Sequence, residues 1–242
     1  MAASDAGFEG VEIQFPYDED LDEIQSASAK YKMPVELINL PAGDWDGGDV
    51  GLAALPDRQE EFLQAMNLAH QWAEALGVKK VNVLSGRAEG HAHNAMLDML
   101  VGNLARAAEF FDEINVQVQL EVINGLDVPG FFAGDLETGL KAINKTNHSN
   151  LKLQFDFYHV ARLGHNLVDA INQIGPLIGH VQFADIPGRH QPGSGDMDFA
   201  AAIHALKQVG YGGAVSAEYF PIGLTDETLD WIGEFKVLLA AN

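Results

Sequence analysis

LKLQFDFYHV, residues 151–160, reads as a buried strand with a charge inside it. Leu151, Leu153, Phe155 and Phe157 alternate with other residues, and neither Gly nor Pro interrupts them, which is strand periodicity. Asp156 stands in the middle and His159 follows three residues later. A carboxylate is costly to remove from water unless something pairs with it. The stretch therefore predicts a strand whose end serves chemistry as well as packing.

Working outward, six more short β-rich runs recur: VEIQF (11–15), VELINL (35–40), VNVL (81–84), VQVQLEVI (116–123), HVQFAD (180–185) and AVSAEY (214–219). Helical periodicity fills the intervals. In 56–77, Phe62, Met66, Ala69 and Trp72 fall on one face and Gly77 ends the helix; in 93–114, Met96, Leu100 and Leu104 are four apart. Regular alternation of strand and helix implies a parallel sheet. The glycine fingerprints of dinucleotide and P-loop folds are absent. Repeated units with charged strand ends favour an α/β (β/α)₈ barrel, with a doubly wound sheet as the competitor left open by periodicity. No linker or shift in composition divides 1–242, so a single domain is expected. Only seven strands are readable, and ASDAGFEG at 3–10 resembles the tail of a helix leading into VEIQF.

Composition narrows the function. The chain holds 35 acidic and 14 basic residues, a formal net charge of −21. Such a surface repels phosphate backbones and anionic lipid, so neither a nucleic-acid nor a membrane partner is expected. There is no cysteine, which removes disulfides, thiolate metal sites and cysteine nucleophiles. No basic, apolar leader opens the sequence and no run of about 18 apolar residues exists to span a bilayer. The expected location is the cytoplasm.

Four strands carry a polar residue near the end of an apolar run: Glu121, Asp156, Gln182 and Glu218, spaced by 35, 26 and 36 residues. Each interval is about one βα unit, and barrel strands bring such positions to one mouth. All four offer oxygen, which suits Mg²⁺ or Mn²⁺ better than Zn²⁺. A divalent cation would relieve the mutual repulsion of three carboxylates. His159 is read either as a group reaching the same cavity or as a solvent-facing loop residue. His180 is read as a buried structural residue, and the His91/His93 pair as a helix start in preference to a metal-ligating HxH pair. Asp185 opens a Gly/Pro-rich loop, 185–196, in which Arg189 is read either as meeting an anionic substrate group or as an exposed residue of a mobile loop. VPGFF at 128–132 reads as a lid that excludes water.

The stretches NLPAGDW (39–45), EVIN (121–124), DVPGFF (127–132), FDFYH (155–159), HVQFADIPGRHQPGSG (180–195) and AEYFP (217–221) resemble the hydroxypyruvate isomerase and 2-oxotetronate isomerase family of xylose-isomerase-like TIM barrels. The resemblance runs from about Gly7 to the C-terminus. It implies a divalent-metal aldose–ketose isomerase acting on a small-molecule sugar acid, with Glu121, Asp156, Gln182 and Glu218 as metal ligands. Glu121 and Glu218 would also be the acid/base pair, and His159, Asp185 and Arg189 are expected at the substrate. Val122 and Phe220 stand where the family has Pro and Lys; Ile186 and Gln191 also depart from its pattern. The rivals are a ketose 3-epimerase on a neutral sugar, a metal-dependent nuclease and a non-catalytic family member. The family's first strand and much of its first helix would precede this sequence. The expectation is thus a TIM (β/α)₈-type barrel lacking them, its open edges covered by a second copy in a homo-oligomer or by rearrangement.

Overall fold

A computed structural model describes residues 2–88 and 90–241. The first half comprises α1 (Ala2–Ala6), β1 (Val11–Ile13), α2 (Leu21–Tyr31), β2 (Val35–Asn39), α3 (Gln59–Leu76), β3 (Lys80–Val83), α4 (His93–Asp112), β4 (Gln117–Glu121) and α5 (Leu136–Thr146). The second comprises β5 (Leu151–Asp156), α6 (Phe157–Arg162), α7 (Leu167–Ile174), β6 (Ile178–Phe183), α8 (Phe199–Gln208), β7 (Val215–Ala217) and α9 (Ile232–Ala240). The strands follow one another in the sheet in chain order, β1 to β7. All seven runs read from the sequence form strands, and α1 occupies the predicted helix tail. Two compact units divide at Gln154 and Phe155, inside β5.

In the first unit the pairs β1–β2, β2–β3, β3–β4 and β4–β5 are all parallel. The helices bury the residues their periodicity predicts: Phe62, Met66, Ala69 and Trp72 on α3, and Met96, Leu100 and Leu104 on α4. Gly77 closes α3 in the left-handed region, at φ 66°, which a residue without a Cβ adopts at least cost. On the strands, register partners share a face. Lys80 lies opposite Gln117, Asn82 opposite Gln119, and Gln119 opposite Lys152, while Glu121 lies opposite Gln154. One face of this sheet is consequently polar although buried, with Asn82, Gln119 and Gln154 excluded from solvent. Burial pulls the Lys80 amine below its ordinary pKa, while the charges of Glu36 and Glu12 oppose that shift.

In the second unit β6 and β7 are parallel, with Gln182 opposite Ser216. The core is aromatic. Phe183 of β6 stacks on Phe235 of α9 at 4.6 Å, and meets Trp231 at 5.4 Å and Phe199 of α8 at 5.7 Å, both edge-on. Each such pair adds about 0.5–1.5 kcal/mol to the burial of its rings. Acidic caps start some helices of each unit: Asp135 at α5 accepts from Thr138 N at 2.7 Å and Asp198 at α8 from Ala201 N at 2.9 Å. Part of the acidic surplus therefore terminates helices. Among the described residues, no helix is long and apolar enough to cross a membrane.

Candidate active site

Asp156 ends β5 and at once caps α6, its Oδ1 accepting the Tyr158 N–H at 2.8 Å. The stretch 151–160 read as strand, but this cap turns the chain into a helix at Phe157. The other oxygen, Oδ2, is buried and has no hydrogen-bond partner among the described residues. It lies 3.6 Å from His159 Nε2 and 3.9 Å from Arg189 Nη2. His159 is only 1% exposed, so the solvent-facing reading of it is excluded. It stands one helical turn beyond Asp156, and i,i+3 spacing aims both side chains the same way.

Glu218 follows β7 and extends its ladder, its N–H donating to Phe183 O at 2.9 Å. The carboxylate is half-buried and accepts from Arg189 Nη2 at 2.5 Å. Gln182 is buried on β6, and its register partner Ser216 is two residues before Glu218. Asp156, His159, Arg189 and Glu218 thus form one chain of short contacts within the second unit.

Asp185 has a different surrounding from the others. Its Oδ1 accepts the N–H groups of Ile186 at 2.9 Å and Met197 at 3.0 Å; its Oδ2 accepts those of Gly193 at 2.9 Å and Gly195 at 3.0 Å. Four amides gathered on one buried carboxylate define the shape of the 186–197 loop. Gly195 is required there, because a Cβ would sit 1.8 Å from Ile186 O. The loop carries Arg189, whose guanidinium carbon is 5.3 Å from the Tyr158 ring centroid and 5.7 Å from that of Phe220.

In the first unit, Glu121 ends β4 and is 5% exposed. Its Oε2 accepts from Asn82 Nδ2 at 2.8 Å. Sequence reasoning missed Asn82; the available signal was one amide inside the apolar run VNVL. His91 pairs with Asp57 at 3.2 Å, and His93 leans on Phe132 at 5.0 Å. The segment read as a lid, 128–132, is held in place. Phe131 and Phe132 are buried, and Arg87 Nη1 donates to Pro129 O at 2.5 Å.

Buried acidic and imidazole ligand atoms of this kind could hold a metal ion. An orphaned, buried carboxylate oxygen is costly unless a cation completes it. Asp156 and His159 each offer a buried ligand atom of a type that divalent metals take.

A family model described as "Xylose isomerase-like TIM barrel" matches residues 1–235, and the chain belongs to that family. The hydroxypyruvate isomerase of Escherichia coli strain K12 is 37% identical over 97% of this chain and 91% of its own length. The 2-oxo-tetronate isomerase of Haemophilus influenzae is 30% identical over 97% of this chain and 92% of its own. A solved structure described as an AP endonuclease, family 2, from Brucella melitensis superposes with a TM-score of 0.93 at 32% identity. That match covers 96% of this chain and 90% of the other. Both named relatives are isomerases.

Proposed function

We propose that this protein is a divalent-metal-dependent aldose–ketose isomerase acting on a small sugar acid, hydroxypyruvate foremost, which it converts to tartronate semialdehyde. The observation that carries the proposal is the buried Asp156 Oδ2 at a strand end, without a hydrogen bond among the described residues and 3.6 Å from His159 Nε2. The named isomerase relatives support it. Residues 1–242 are read as one barrel domain, supported by a family match over 1–235.

Glu121, Asp156, Gln182 and Glu218 would hold the metal, as Mg²⁺ or Mn²⁺. When bound, such a cation withdraws electron density from the substrate oxygens and makes the neighbouring C–H more acidic. Glu218 and Glu121 are the proton-transfer pair: one removes the C–H proton next to the carbonyl and the other delivers a proton to the former carbonyl carbon, while the hydroxyl proton passes to the former carbonyl oxygen. Asn82 holds Glu121 in a fixed rotamer, and the Arg189 contact holds Glu218. Asp185 reaches the substrate only through the loop it organises.

Proton NMR of hydroxypyruvate in D₂O tests the reading, with metal-loaded protein, chelated protein and Glu218→Gln. Deuterium uptake at the hydroxymethyl carbon is expected with metal alone, and is lost in Glu218→Gln. Exchange only on a neutral ketose would replace the isomerase by an epimerase. No exchange on either substrate by the folded, metal-loaded protein would refute the proposal.

A further inference from the structure

Arg189 is held more firmly than an exposed loop arginine needs to be. Its backbone is left-handed, at φ 57°, a region that costs any residue with a Cβ. Two hydrogen bonds keep it there. Its N–H donates to Asp185 O at 3.0 Å, and its carbonyl accepts the Phe220 N–H at 2.8 Å. The next residue adds a third link, His190 Nδ1 to Phe220 O at 2.7 Å. Phe220 is therefore strapped to the loop through both its N–H and its carbonyl.

The side chains extend this arrangement. The guanidinium lies within cation–π range of the Tyr158 and Phe220 rings and hydrogen-bonds Glu218. Phe220 leaves 64% of its surface in solvent, so packing alone does not account for a large ring there. A ring is nevertheless well suited to holding a guanidinium that must also bind an anion. Glu218 at 2.5 Å and Asp156 at 3.9 Å already face the guanidinium, and a ring face orients it without adding a further charge. In a chain of net charge −21, an anionic substrate also needs a fixed cation at its landing point.

We infer that Phe220 is a positioning residue that, with Tyr158, orients the Arg189 guanidinium to take the carboxylate of a 2-oxo acid beside Glu218. The inference rests on the proposed function and adds to it a determinant of substrate class. The planar fork of Arg189 matches a carboxylate geometrically, and its contact to Glu218 places that anchor next to the proton-transfer group. Phe220 then selects for a carboxylate adjacent to the reacting carbonyl and contributes nothing to a neutral ketone of the same size.

The test compares pyruvate with hydroxyacetone, its neutral counterpart, by protein-observed NMR titration of the Mg²⁺-loaded full chain. Wild type, Phe220→Leu (bulk without a ring face) and Phe220→Tyr (ring retained) are titrated, and hydroxypyruvate turnover is followed alongside. Phe220→Leu should weaken pyruvate about two- to fivefold, leave hydroxyacetone unchanged, and be rescued in Phe220→Tyr. Equal weakening of both ligands, unchanged pyruvate binding in Phe220→Leu, or no pyruvate binding by wild type would each overturn the inference. Wild type that binds pyruvate in a Phe220-dependent way but turns over no hydroxypyruvate would support the anchor and refute the isomerase reading. Turnover combined with Phe220-independent binding would remove the anchor alone.

Discussion

Replacing Asp185 with Asn separates a loop organiser from a substrate ligand. The side chain is 2% exposed and its two oxygens accept four backbone N–H groups, two on each oxygen. An amide of the same shape retains one accepting oxygen and turns an NH₂ group towards the other two donors. Hydrogen bonds to a charged group contribute about 1.5–3 kcal/mol each. Two are removed, so the loop loses about 3–6 kcal/mol of local ordering by the same measure. That exceeds what a surface loop normally holds in reserve, and the segment opens locally while the core stays folded. The assay is native-state hydrogen exchange at the amides of Gly193, Gly195 and Met197. Their protection should fall by at least about a hundredfold, with protection in α3 and α4 unchanged. Unaltered protection at those three amides in Asp185→Asn would refute the reasoning and return Asp185 to the substrate.

Gly195→Ala should produce the same loop opening through sterics, since its Cβ would have to displace Ile186 O; exchange at Met197 reads it out. Phe183→Ala removes the ring shared by Trp231, Phe199 and Phe235 and should cost about 3–5 kcal/mol in urea denaturation. Asn82→Leu deprives the buried Glu121 of its donor and should lower hydroxypyruvate turnover by about tenfold or more, while Asn82→Gln retains part of it. The hydrogen bond from Arg58 holds the Glu61 carboxyl below its ordinary value of 4.5. A depressed folded pKa contributes stability above the unfolded value and loses it as pH falls. Glu61→Gln should therefore narrow the stability difference between pH 7 and acid, by a small amount because the pair is exposed, as thermal melting across pH would show.

The sequence revealed the fold through its periods. Leu151, Leu153 and Phe155 alternate as a strand does, and Phe62, Met66, Ala69 and Trp72 recur as a helix face does; both patterns follow directly from backbone geometry. The four strand-end positions stood out in the sequence as candidates for chemistry, because a polar side chain at the end of an apolar run needs an explanation. Contacts made by polar groups across strands were not legible. Asn82 meets Glu121 across 39 residues of chain, and an amide inside an apolar run looks the same whether it faces a ligand or a loop. The end of β5 was misjudged for a related reason: Asp156 acts as a helix cap, while Phe157 and Tyr158 carry strong strand propensity. Phe131 and Phe132, read from the sequence as part of a lid, are buried, with His93 of α4 against the Phe132 ring and Arg87 bonded to Pro129 O.

The central claim is that Asp156 is kept buried and half-satisfied in order to hold a divalent cation. Calorimetric titration of Mn²⁺ into wild type and Asp156→Asn tests it most directly. The account predicts one-to-one binding that weakens by more than about tenfold in Asp156→Asn, with the helix cap at Tyr158 retained. Equal Mn²⁺ affinity in the two proteins would contradict it.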